Sequence, residues 1–443
     1  MNRRQFILRS SHALGASALL SGLGQLHVAE AADYKALVCV FLFGGNDGNN
    51  TLIPIDTQGY EQYAAVRPVS SNLNIPQANW LQIGASDKSF GLHPSLTGIQ
   101  GLYNQGSLAW VANVGTLVQP TTRSQYAARS VPVPSNLFSH SDQQYQWQTA
   151  TTSASPSPTG WGGRLGDLLA PIYNAGSTFP ILANLNGVSI FTRGLSAGVI
   201  SPGPSVLQGF GSGASDQARY MALREIQALG SGFSLVNALN GMTGRGIDAT
   251  NQLNQALTLQ SALTTTFPGS SLGNQLKSIA NMIAARGTLG TSRQIFFCGI
   301  NGFDTHANQL STQANLLADL DASLKAFYSA TVELGVESAV TTFTHSDFGR
   351  TFQPTAGGGS DHAWGNHHLV MGGSVRGGSL YGQYPTLQVS GPDDADNEGR
   401  WVPTTSVSEF VYPLIRWFGA TNPGDVLPSL SNFNLGRSDL NYL

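Results

Sequence analysis

Residues 36–50 read ALVCVFLFGGNDGNN. Eight apolar residues in succession, rich in valine and phenylalanine, have the length of a strand. The absence of polar alternation points to a strand buried on both faces, as in a parallel sheet. The run ends at a glycine pair and an N-D-G turn that carries Asp47. Similar runs recur at 108–114 (LAWVANV), 293–300 (RQIFFCGI), 337–344 (ESAVTTFT) and 368–371. Helical patterns lie between some of them. Across 306–334, Leu317, Leu320, Leu324, Phe327 and Leu334 recur at spacings of three, four or seven, and Gly335 stops the helix. Residues 274–286 and 216–229 are also helical in pattern. The alternation predicts an α/β fold with a mainly parallel central sheet and flanking helices. Gly-, Pro- and Ser-rich stretches at 156–163 and 201–213 read as loops. A helical insertion over about 190–290 fits a cap. The candidate polar residues lie at both ends of the chain, which favours one domain over residues 32–443.

Only 11% of the 443 residues are charged, against roughly 25% in an average domain. With 41% apolar residues the chain still builds a sizeable core. A net charge of −3 and the lack of a basic cluster argue against a nucleic-acid partner. The start, MNRRQFILRS, pairs Arg3 with Arg4. An apolar run over 13–24 and an A-x-A site at Ala29–Ala31 follow. This pattern predicts a twin-arginine signal peptide, residues 1–31, recognised by the twin-arginine translocation machinery. The competing reading is a short amphipathic helix. The expected location is periplasmic or secreted, and export in the folded state would let the chain carry a chosen metal. The apolar run is shorter than the about 20 residues that span a bilayer, and no transmembrane segment is expected in the mature protein. Cys39 and Cys298 each sit in an apolar strand-like run, as buried thiols or as one disulfide.

Three segments share one form, an apolar strand running into a glycine-rich turn with acids or histidines. They are FLFGGNDGNNT with Asp47, FFCGINGFDTH with Asp304 and His306, and TTFTHSDFGRT with His345, Asp347 and Arg350. GGGSDHAWGNHH follows the last and carries His362. In an open parallel sheet, sites gather at the carboxyl ends of strands. Carboxylates and imidazoles converging there suit a divalent metal such as zinc or manganese. Each residue also has a plain reading. Asp47 is a turn former, Asp304 a helix N-cap, His306 a first-turn surface residue and Arg350 the partner of Asp347. Of His367 and His368, strand alternation sends at most one toward a site.

From Arg3 to Gly419 the chain resembles the exported family called domain of unknown function 1501. The matching residues are the paired arginines, GGNDGNNTLIP (44–54), LHPSLTGIQGLYNQGSLAWVANVG (92–115), SHSDQQYQWQ (139–148), GFDTHANQ (302–309), SDFGRT (346–351) and GSDHAWGNHHLVMGG (359–373). The family is placed with the alkaline phosphatase-like superfamily, alongside sulfatases. The resemblance implies two divalent ions (zinc, manganese or calcium), a Ser or Thr nucleophile and an anionic phosphate or sulfate ester as substrate. Carried over, Asp47 is the first-strand metal ligand. Asp304 and His306 are a loop pair, spaced D-x-H where the family superfold uses D-x-x-x-H. Asp347 belongs to an Asp-His pair and His362 is the late histidine. The histidine expected after Asp347 is replaced by Phe348, with His345 as the substitute ligand. Ser139 is the candidate nucleophile, with Ser141 and Thr51 behind it, and Arg350 is the candidate anion clamp.

GLSAG at 194–198 matches a nucleophile elbow at Ser196, but the prolines that follow do not start a helix. Asp347-Phe348-Gly349 lacks the other kinase segments. The rival to a hydrolase is a secreted binding or assembly module that keeps the fold without catalysis.

Overall fold

The computed structural model describes residues 34–84, 89–152, 157–202, 213–435 and 437–443. The stretch expected to be a signal peptide, residues 1–31, lies outside the described residues, as do most of the expected 201–213 loop and Pro156.

The chain enters the fold through its most apolar run, β1 (Lys35–Phe43). A small antiparallel sheet follows, formed by β2 (Leu52–Pro54), β3 (Leu81–Ile83) and β4 (Phe90–Leu92). The central sheet gains β5 (Leu108–Gly115), β6 (Leu182–Asn184), β7 (Val199–Ile200), β8 (Arg293–Asn301) and β9 (Val340–Ser346). β10 (Arg350–Pro354) and β11 (Ser360–His362) form a hairpin beside it. β12 (Asn366–Met371), β13 (Leu380–Tyr381) and β14 (Thr405–Ser406) complete the sheet. Its order is β13-β5-β12-β9-β1-β8-β6-β7, with β14 also on β5. β12 runs antiparallel to both its neighbours, and the other pairings are parallel. The fold is therefore α/β with a mixed, mostly parallel sheet.

Burial explains why β1 lacks polar alternation. Ala36, Val38, Val40 and Leu42 pack under one helical layer, which includes Ser271–Ala284 and Gln309–Glu333. Leu37, Cys39 and Phe41 pack under the other, formed by His140–Thr149, Trp161–Tyr173 and Val407–Phe418. Each fully buried large side chain contributes about 1.5–3 kcal/mol. Cys39 and Cys298 lie on the neighbouring strands β1 and β8 but join opposite layers, and both are free thiols. The disulfide alternative is thus excluded by strand pleating. The helices Ala214–Ala228 and Ser234–Thr258 fall in the stretch expected to be inserted. Among the described residues no helix is long and apolar enough to cross a membrane.

Candidate metal centre

Because β1, β8 and β9 are parallel neighbours, their carboxyl ends open on one edge of the sheet. β12 runs the other way, so its amino end, just after β11, meets the same edge. Asp304 and His306 follow β8 and His362 ends β11. All three meet there. His306 Nε2 stands 2.9 Å from Asp304 Oδ1 and 2.9 Å from His362 Nε2, and His362 Nε2 is 3.3 Å from Asp304 Oδ1. Those separations suit donor atoms that share one ion at about 2.0–2.2 Å. Asp361 stands beside them, 3.9 Å from His306 Nδ1.

A fourth group arrives from a place the sequence did not mark. His140 opens the helix His140–Thr149, and its Nε2 lies 3.4 Å from Asp304 Oδ2. Its Nδ1–H donates to Asp347 Oδ2 at 2.6 Å. Asp347 also accepts from Gln144 Nε2 at 2.7 Å and from the Gly44 backbone N–H at 3.1 Å. A carboxylate that holds Nδ1–H turns the other ring nitrogen outward, which is the usual support behind a metal-binding histidine. His362 is oriented in the same way, its Nδ1–H donating to the Phe138 carbonyl at 2.7 Å. Phe138 takes φ +72°, a strained conformation for a bulky residue. It lies within a turn closed by the Ser139 N–H donating to the Asn136 carbonyl at 3.1 Å, just before the His140 helix.

The charges are set by these neighbours. Partial burial works against ionised Asp304, but the Arg350 hydrogen bond and charge, with His140 and His306, hold it down at about 2. The Asp347 hydrogen bond raises His140, against partial burial and with help from the Asp347 and Asp304 charges. Burial lowers His362. His362 is therefore neutral near pH 7, whereas a metal ion competes with a proton at His140.

Several expected site residues lie elsewhere. Arg350 is buried, and its donors go to the carbonyls of Gly45 (2.9 Å), Ser360 (3.0 Å), Phe303 (2.9 Å) and Gly44, and to Asp304 Oδ1 (2.7 Å). It pairs with Asp304 rather than Asp347, and its fork is not free for an anion. His345 is not in the cluster. β9 ends at Ser346, so His345 points into the helical layer among Trp147, Trp161, Phe41 and Phe410, while Asp347 turns to the sheet edge. His368 shares that apolar layer, and His367 stacks on Tyr384 on the other side. Asp304 is no N-cap, since the helix begins at Gln309 after Asn308. Ser139 sits at the N-cap position of the His140 helix, but its Oγ donates to Asp142 Oδ2 at 2.6 Å and not to a backbone group. Ser141 is exposed beside it. Thr51 is buried, with its Oγ1 donating to the Asp47 carbonyl at 2.7 Å. Asp47 lies away from the cluster, in a buried network with Arg67, Gln309 and Asn49. Phe348 replaces the expected histidine in a second sense, stacking on His362 (4.6 Å) and packing on His140 (4.9 Å). It leans on Gly45 (φ +84°), where a Cβ would fall 2.5 Å from the ring.

Ser196 of the elbow-like GLSAG donates to Asp167 at 2.9 Å and precedes a strand, so the strand–turn–helix context is absent.

The chain belongs to the family described as "Protein of unknown function (DUF1501)", whose profile matches residues 34–397. No curated protein matches it. In overall chain course it is similar to three solved structures. The PsFucS1 sulfatase from Pseudoalteromonas sp. is 11% identical, over 94% of this chain and 72% of that one, with a TM-score of 0.35. Ps i-CgsB is 10% identical, over 91% and 77%, at 0.34. The lipoteichoic acid synthase LtaP from Listeria monocytogenes is 10% identical, over 84% and 74%, at 0.33. At these identities and scores the likeness carries no residue correspondence.

Proposed function

We propose that this member of the DUF1501 family is an exported, metal-dependent hydrolase of phosphate or sulfate esters, centred on Asp304, His306, His362 and His140. The carrying observation is the convergence of three imidazole Nε2 atoms on one carboxylate, two of the rings being turned inward through Nδ1. Nitrogen-rich donors favour zinc or manganese over calcium. A divalent ion bound there supplies Lewis acidity toward an ester oxygen. The chain's own groups prepare the rest. Asp347 and the Phe138 carbonyl aim two rings, and Arg350 keeps Asp304 ionised. The first turn of the His140 helix brings the positive end of its dipole to the cluster, which favours an anion. Ser139, at that N-cap, is the candidate nucleophile. Hydrogen bonds from Ser139 and Asn136 lower Asp142, so this carboxylate accepts the Ser139 proton as a hydrogen bond and orients the hydroxyl without removing it.

A second reading, a metal-holding binding module, draws on Arg350 and Arg400. Both lie beside the cluster, and both commit donors to carbonyls and carboxylates of the chain. The test combines metal analysis with a chromogenic phosphate and sulfate ester panel. The wild-type chain should carry metal and turn over at least one ester class. Asp347→Asn should weaken metal binding about 10–100-fold. Ser139→Ala should keep its metal and lose turnover. Metal without turnover on the whole panel selects the binding-module reading, and a chain that takes up no metal defeats both. Export is read separately, from whether the Arg3→Lys, Arg4→Lys precursor stays in the cytoplasm.

A further inference from the structure

Asp47, the carboxylate at the end of β1, holds a cation of another kind. Its side chain is buried, and so is that of Arg67, which caps the carboxyl end of the helix Thr57–Val66. Arg67 Nη1 and Nη2 grip the two Asp47 oxygens, the second at 3.0 Å. Gln309 Nε2 donates to Oδ2 at 2.5 Å. The Asn49 backbone N–H and Nδ2 donate to Oδ1 at 3.1 and 3.2 Å. Five donors thus meet a carboxylate that offers about four lone-pair directions. The guanidinium in turn faces oxygen everywhere, from Asn50 Oδ1 (2.7 Å) and the carbonyls of Thr351 (2.8 Å) and Phe352 (3.4 Å) as well as Asp47. Oxygen is what a hard divalent cation would seek, but here the guanidinium already sits among these oxygens and N–H donors occupy both oxygens of the carboxylate. The second ion implied by the resemblance at Asp47 therefore does not fit this donor set.

We infer that the Arg67 guanidinium permanently fills the cation position at the end of β1, so that the chain holds a single metal ion, none of it on Asp47. The metal count rests on the centre proposed above; the Asp47–Arg67 pairing does not. A tethered guanidinium cannot dissociate, so this corner of the sheet stays assembled whatever the metal supply. Gln309 ties it to the centre, because its Oε1 accepts from Ser360 Oγ at 2.5 Å, two residues before His362.

The experiment measures metal per chain and melting temperature for the full-length protein and for Asp47→Asn, Arg67→Met, the double variant and Asp304→Asn, each loaded with zinc or manganese and desalted. One equivalent is expected in the wild type and in Asp47→Asn, and none in Asp304→Asn. Two equivalents in the wild type, or loss of the metal in Asp47→Asn, overturns the inference. If the wild type binds no metal, the centre fails and the pairing is judged by melting alone. Each single variant should then melt well below the double variant, because each strands a buried charge that the double removes. Additive losses in the double variant overturn the pairing. Should a single variant not fold, soluble and cooperatively melting double variant supports it, and a double variant that also fails to fold counts against it.

Discussion

At the scale of single residues, two sets of histidines do opposite things. His140, His306 and His362 face solvent or the candidate centre, while His345, His367 and His368 are sealed in the core with their Nε2 atoms unpartnered. Burial drives His345 and His367 down to about 3 and lowers His368 well below its ordinary value, with His345 and His367 adding to it. An unfolded chain binds those protons near the ordinary value of 6.5, and the folded chain does not. The unfolded state therefore holds more protons between pH 6.5 and about 3, and stability falls as pH falls through that window. Each buried histidine contributes about 1.4 kcal/mol per pH unit there. Denaturant titrations of metal-free protein from pH 7 to pH 4 should show the loss, and a flat profile would contradict it. His140 acts with the opposite sign. Its raised value means that its ion pair stabilises the metal-free fold at low pH and is lost as pH rises through the folded value.

At the scale of elements, the glycine turns after the strands are fitted to the rings they carry. Gly45 combines a positive φ with contact on Phe348, which in turn backs His140 and His362. Gly45→Ala should cost about 1–3 kcal/mol through strain and overpacking. It should also weaken metal binding by shifting both rings, as thermal melting with and without metal would detect. The sequence announced Asp304, His306 and His362 because acids and histidines at strand ends in a parallel sheet share an edge. His140 was hidden for a physical reason. It begins a helix, no strand points to it, and only folding brings it to an aspartate 207 positions away. Its signal was present in the SHSDQQYQWQ match, where the serine drew attention and the histidine beside it did not. Arg67 was invisible for the same cause, as a lone cation at a helix end. His345 was misplaced because the point where β9 stops pleating decides the direction of its side chain, and an apolar run does not reveal that point.

At the scale of the whole molecule, the α/β class was legible because β1, β5, β8, β9 and β12 are each written as apolar runs, whereas β6, β7, β13 and β14 are only two or three residues long and exist through their neighbours. The pairing of β1 with β8 and β9 has a temporal consequence. The first strand to leave the ribosome finds its two partners only after residues 293–301 and 340–346 have been made. Until then a nine-residue strand whose one charge is the lysine at its start is left with two bare edges, a segment prone to self-association. Non-local pairing of this kind also slows folding. A chain truncated at residue 290 should accordingly be protease-sensitive and aggregate, while one ending after the last helix, at residue 419, should regain protection of β1 in hydrogen exchange. Chaperone contact during synthesis is thus expected on residues 35–43, whose sheet partners are made only at 293–301 and 340–346.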